Sequence, residues 1–164
     1  MIDLHGFTFG LVAILLISVL FDYINGFHDT ANAIATSVST RALSPAAAIA
    51  LSATMNFAGA FTGTAVASTI GQGIVQNPEG GAGQVIIAAA LVGAIAWNLL
   101  TWRLGIPSSS SHALIGGLIG ATIAGVGLSG VIVGGFTTKV LIPLISSPLL
   151  GFAIAYVLMI VIFN

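Results

Sequence analysis

Asp22, Asn25, Asp29, Asn32 and Thr36 follow one another at steps of three and four, the spacing that places side chains on one face of an α-helix. Their carboxylate, amide and hydroxyl oxygens suit a small cation. A second group, Ser108-Ser109-Ser110-Ser111-His112, directly follows Pro107. Hydroxyls and unpaired backbone amides at a helix start offer an anion site, reinforced by the helix dipole. Asp29 beside an anion repels it, and a cation held by Asp29, Asn25 and Asn32 removes that repulsion. Anion binding then depends on cation occupancy. The plainer counterparts are polar contacts between helices for the first group and ordinary capping for the second.

The elements that must position these groups are membrane helices. Hydrophobic residues make up 57% of the chain and charged residues 4%, far from the roughly one quarter charged of a soluble domain. The apolar runs approach twenty residues and lack the period-two alternation of barrel strands, so the fold class is all-α, an integral membrane protein in one transmembrane domain over residues 1–164. With no cysteine, disulfides and thiolate metal sites are excluded. A net charge of −1 gives no basis for a nucleic-acid partner. Asp3 stands where a signal peptide carries basic residues, so Phe7 to Phe21 is expected to be a span and not a cleaved leader.

In chain order, Asn25-Gly26 carries a turn signal, and a continuous helix from Phe7 to Thr40 would be about 50 Å long against a hydrocarbon core of roughly 30 Å. The sequence therefore predicts a broken first helix, interrupted at Asn25 to Thr30, with backbone carbonyls freed for a cation. Ser44-Pro45 starts a second span over Ala46 to Ile70, in which Gly59 and Gly63 form a small-xxx-small pair. Gly71 to Gln84 is expected as a loop at the membrane surface. A third span covers Val85 to Trp102, with Trp97, Trp102 and Arg103 as an interfacial anchor and Asn98 and Thr101 on one face, either lining a site or bonding between helices. Gly105-Ile106-Pro107 breaks it. The glycine-rich stretch Ala113 to Gly130 predicts a re-entrant hairpin of short helices. A last span, bent by Pro143 and Pro148, runs from Val140 to Phe163, giving about four spanning helices in all. This layout puts Arg41, Arg103 and Lys139 on one side, cytoplasmic by the positive-inside rule.

Gly26-Phe27-His28-Asp29-Thr30-Ala31-Asn32-Ala33-Ile34-Ala35-Thr36, continuing to Ser39-Thr40-Arg41-Ala42-Leu43-Ser44-Pro45, resembles the first signature of the inorganic phosphate transporter (PiT) family. Gly105-Ile106-Pro107-Ser108-Ser109-Ser110-Ser111-His112-Ala113-Leu114-Ile115-Gly116 resembles the second, a Ser-Ser-His motif associated with a hairpin tip at the substrate site. The resemblance implies a symporter of inorganic phosphate in the cell membrane, driven by sodium or protons and using no other cofactor. By it, Ser109, Ser110 and Ser111 contact the oxyanion, while Asn25, Asp29 and Asn32 serve the cation, as sodium ligands where sodium is the coupling ion. Thr30 contributes to either site. His112 is either a proton-linked group or a residue orienting the serines, and both join the substrate-binding set. Asp22 and Thr36 are secondary candidates on the same stripe.

The family resembles two inverted repeats, each with both motifs, whereas this chain carries each motif once. It reads as one half of an inverted-repeat transporter: a self-pairing half, one subunit of a split transporter or a fragment of a longer protein, whose partner is an inverted second copy or a homologous half, in membrane lipid. Transport of another oxyanion such as sulfate, or an ion channel, remains the alternative reading. An intramembrane hydrolase built on Asp29, His112 and Ser111 has no nucleophile motif behind it, so the chain is not expected to be an enzyme. A divalent metal at His28, Asp29 and His112 rests on too few ligands.

Overall fold

A computed structural model describes residues 9–62, 73–76 and 80–163. The described residues form five main helices: α1 (Phe9–Ser39), α2 (Pro45–Gly59), α3 (Gly81–Leu104), α4 (Ser110–Val126) and α5 (Val133–Phe163). Three of them, α1, α3 and α5, are long and apolar enough to cross a membrane. The all-α membrane fold is therefore as the composition requires.

The first helix is not broken. It runs for 31 residues through Asn25 and Gly26, and Gly26 is not among the glycines with positive φ. A single glycine inside a helix costs only about 1 kcal/mol relative to alanine, which long helical flanks outweigh. The Thr30 hydroxyl bonds back to the Gly26 carbonyl, so the backbone there stays satisfied and frees no carbonyl for an ion. Any cation on α1 must be held by side chains.

Ser44 caps α2 as its sequence requires: the Ala47 amide donates to Ser44 Oγ at 3.3 Å, and Pro45 takes the first turn. The helix stops at Gly59, closing on Ala60. Its 15 residues reach only about 22 Å, too short to cross. The expected continuation to Ile70, with Gly63, lies outside the described residues.

The third span appears as expected, slightly longer, and Gly105 ends it in the left-handed region at φ 66°. The Ile106 amide closes back on the Thr101 carbonyl at 2.9 Å and Gly105 on Trp102 at 3.1 Å, the helix-ending arrangement that glycine favours. After five residues, 105–109, the chain reverses into α4. In place of a hairpin of short helices within 113–130, the structure has one helix of 17 residues from Ser110 to Val126. The helical hairpin is instead α3 with α4. Gly117 packs on the Ala90 backbone so closely that a Cβ would meet its carbonyl oxygen at 2.5 Å, and Gly125 lies against Ile86. Glycines on α4 thus serve close helix contact rather than chain breaks.

At the hairpin's open end, residues 73–76 run antiparallel to residues 130–132. Ile132 donates to the Ile74 carbonyl and Gln76 to that of Gly130, both at 2.8 Å. Ile74 and Val75 are buried with Ile86, Ala90, Leu118 and Val140. The expected surface loop therefore contributes to the core in its described part; Asn77, Pro78 and Glu79 lie outside it. Thr137–Leu141 widens into a π-helix just ahead of Pro143, whose ring would otherwise crowd the carbonyl four residues back. Pro148 lies inside the helix that follows, and no residue from Ile142 onward in α5 is buried.

Helices α1 and α3 lie parallel. Phe21 packs with Leu91 and Ala94, Phe27 meets Trp102 ring to ring at 5.5 Å, and His28 meets Thr101. Arg41 and Arg103 accordingly stand toward the same end. Lys139 does not: its side chain lies on Gly73 and its neighbour Val140 is level with Ile86 and Ala90. Arg103, thirteen residues past Ala90 on α3, is about 20 Å away along the helix. The three basic residues therefore do not gather at one end of the packed helices, because α4 returns along α3.

Candidate functional site at the hairpin tip

The two polar groups noted in the sequence meet where the tip of the α3–α4 hairpin touches α1. Ser109 caps α4, its Oγ accepting the His112 amide at 3.3 Å. That capping orients Ser110 toward α1, and its hydroxyl donates to Asp29 Oδ2 at 2.8 Å. The other carboxylate oxygen lies 3.1 Å from His28 Nδ1. A carboxylate accepts only, so with Asp29 ionised His28 carries its proton on Nδ1.

His28 is buried, and its Nε2 lies 3.3 Å from Thr101 Oγ1. Thr101 in turn contacts Ser108 Oγ at 3.1 Å and its own helix at the Trp97 and Asn98 carbonyls. Ser108, Thr101, His28, Asp29 and Ser110 thus form one continuous network across α1, α3 and the hairpin tip. His28 and Thr101 are central to it; the sequence pointed to Thr101 for a contact between helices or a site wall, and to His28 only as a metal ligand. Their signals were modest: a histidine adjoining the stripe's central carboxylate, and a threonine on the same face as Asn98 in an apolar helix.

The remaining candidates are spread over three concavities. Ser109 and His112, with Ser108, Gly93 and Trp97, line a cavity of about 430 Å³ on one side of the tip. Asn32 and His28 share a second, of about 330 Å³, with Trp102 and Pro107. Asp22 and Thr30 line a third, of about 540 Å³, with Ile34 and Ile49 on the α2 side. Ser111 and Thr36 are exposed. Asn25 is half-buried, its Oδ1 enclosed with no hydrogen-bond partner among the described residues. Among the described residues, Asp29 and Ser110 are the pair that joins the two candidate groups by a direct hydrogen bond. Among the described residues no three His, Asp or Glu side chains cluster, and His112 lies on a different cavity from His28.

The polar groups at the tip are hydroxyls and backbone amides, which donate, an imidazole, and one carboxylate, which accepts, with no Lys or Arg in the network. Such an arrangement binds an anion through neutral donors and a helix start, and a cation through oxygen atoms.

Comparison with known proteins gives the same direction. Residues 25–164 match the phosphate transporter family. A probable low-affinity inorganic phosphate transporter of Streptomyces halstedii is 53% identical over 147 residues, covering 90% of this chain and 68% of that protein. One from Bacillus subtilis is 54% identical over 90% of this chain and 44% of its own length. The low-affinity inorganic phosphate transporter PitB of Escherichia coli is 37% identical over 94% of this chain and 33% of its own length. This chain thus spans from a third to about two thirds of these relatives. No solved structure matches it. Its span-length helices and its relatives make it a multi-pass integral protein of the cell membrane, and the chain belongs to the phosphate transporter family.

Proposed function

We propose that this chain is one half of a secondary transporter that carries inorganic phosphate across the cell membrane, coupled to sodium or to protons. The observation that supports it best is the Ser110–Asp29 hydrogen bond of 2.8 Å, which joins the two signature motifs at one point.

The first turn of α4 supplies the anion contacts. The amides of Ser110 and Ser111 have no carbonyl four residues back within the helix, so they are free donors facing the incoming oxyanion. The hydroxyls of Ser109 and Ser111 add to them, and His112 lines the same cavity as Ser109. Thr30 lies on the α2 side of α1, and it joins this set when the helices close around the anion. Ser110 is committed to Asp29. Its hydroxyl turns to the anion once Asp29 has another positive partner, which is how the cation makes phosphate binding favourable. Asp29, Asn25 and Asn32 supply the oxygens for that cation from α1 side chains alone, with Asp22 and Thr36 further along the stripe. The residues fit a monovalent ion, since they bring several oxygens and a single central carboxylate.

The tip of the hairpin is level with Asp29, whereas α1 continues past Asp29 for ten residues, about 15 Å. Asp22, Asn32 and Thr36 are exposed on this chain, and polar groups left against lipid cost several kcal/mol in sum. An inverted second copy or a homologous half covers them and completes the site.

Phosphate uptake into proteoliposomes holding the intact protein tests the reading. Saturable uptake is expected, stimulated by an inward sodium or proton gradient and weakly inhibited by sulfate. Uptake that rises linearly with phosphate would indicate a channel. Uptake of sulfate in preference would change the substrate.

A further inference from the structure

The network at the hairpin tip rests on a layer of the core that contains two asparagines with enclosed amide atoms. Asn98 is fully buried on α3, and neither its Oδ1 nor its Nδ2 has a hydrogen-bond partner among the described residues. Asn25 on α1 leaves its buried Oδ1 in the same condition. Buried amides without partners are rare, because each loses its water hydrogen bonds and regains nothing.

The register of the helices puts the two side chains at one level. Phe21 packs with Ala94, and His28 meets Thr101. Asn25 and Asn98 each lie four residues past the first pair and three before the second. Since α1 and α3 are parallel, both asparagines occupy the turn between the apolar cluster and the Asp29 network. The third wall is α4. It passes this level between Ser110, which is bonded to Asp29, and Ala113 and Leu114, which pack on the Phe21 cluster.

We infer that Asn98 is a ligand of the coupling cation, sharing with Asn25 a buried subsite beneath Asp29 that takes a desolvated monovalent ion. The inference rests on the transporter reading above and adds to it a residue on α3, outside both signature motifs. The chemistry selects the ion. Two amide oxygens and a carboxylate oxygen of Asp29 form an all-oxygen set carrying one negative charge, which matches sodium better than a divalent ion. The Asn98 Nδ2 group then donates to a water that the ion retains. A subsite on both α1 and α3 also explains how ion binding would hold α3 against α1 while the Ser110 hydroxyl turns from Asp29 to the anion.

Trp97 and Trp102 flank Asn98 on the same helix and report binding without any transport step. Sodium, titrated against choline at constant ionic strength into the intact protein in detergent, is expected to change tryptophan fluorescence saturably and to raise the thermal midpoint. Asn98→Ala should weaken the apparent sodium affinity at least tenfold, and Asn98→Asp should restore it. Thr122→Val, at another enclosed hydroxyl away from this layer, should leave it unchanged. If Asn98→Ala fails to fold, Asn98→Ser replaces it with the same expectation.

Unchanged sodium affinity in the Asn98 variants would overturn the inference and assign the amide to structural water. No saturable sodium response in the unmodified protein would overturn it as well. Phosphate uptake measured on the same preparation separates the two readings. Uptake that persists without a sodium response removes the subsite and leaves phosphate transport standing.

Discussion

Ser110 and Asp29, 81 residues apart in sequence, share a 2.8 Å hydrogen bond between the first turn of α4 and the middle of α1. On the function proposed above, the bond occupies a donor that the oxyanion would use and a lone pair that the cation would use, so the binding of the two would be linked through it.

Asp29→Asn tests that link. The amide still accepts from Ser110, so insertion and folding should survive, while the charge that attracts the cation is gone. Cation-stimulated phosphate uptake should fall at least tenfold, equivalent to about 1.4 kcal/mol or more. Radiolabelled phosphate uptake with and without a sodium or proton gradient reads it, and undiminished stimulation would remove Asp29 from the mechanism.

Thr101→Val keeps the shape of a buried side chain but removes the hydroxyl that contacts both His28 and Ser108. The loss should destabilise the protein by about 1–3 kcal/mol, the usual cost of leaving buried polar partners unmet. Thr101→Ser should recover most of it. Thermal unfolding in mild detergent is the measurement.

Gly117 and Gly116 make a matched pair on α4. A methyl at Gly117 meets the Ala90 carbonyl oxygen at 2.5 Å, whereas at Gly116 it meets nothing within 4 Å. Gly117→Ala should separate the hairpin and cost about 1–3 kcal/mol, as overpacking does. Gly116→Ala should be neutral or slightly stabilising, and equal unfolding midpoints for the two would contradict the packing.

Single cysteines report sidedness cleanly, because the chain contains none of its own. Arg41 follows the C-terminal end of α1, and Leu128 lies at the open end of the hairpin. With α1 and α3 parallel, Arg41→Cys and Leu128→Cys should react with an impermeant maleimide from opposite faces of sealed vesicles. Reaction from one face only would break the parallel packing.

Association with an inverted half is the remaining expectation. A mass measurement in mild detergent, combined with the same labelling, should find a pair of opposite orientation wherever uptake is observed. A monodisperse monomer active after reconstitution would refute it, and a parallel dimer would require another architecture.

The sequence by itself determined the class and marked the polar groups. Apolar runs of span length with almost no charge dictate membrane helices, since only helices satisfy every backbone group in lipid. Ser44-Pro45, Gly105-Ile106-Pro107 and Ser109 marked helix ends through local rules that need no tertiary partner. Asp29 and the serines were legible because polar side chains are costly in such a chain. The continuity of α1 was decided by tertiary packing: Phe21, Ile24 and His28 are buried along it, and that packing outweighs the turn signal of Asn25-Gly26. The glycines of α4 read as breaks, but close approach to Ala90 gave them their role. The networks of His28 with Thr101 and of Ser110 with Asp29 join residues 73 and 81 apart. No local pattern encodes such pairings, because they arise only when the return of α4 along α3 brings the hairpin tip against α1.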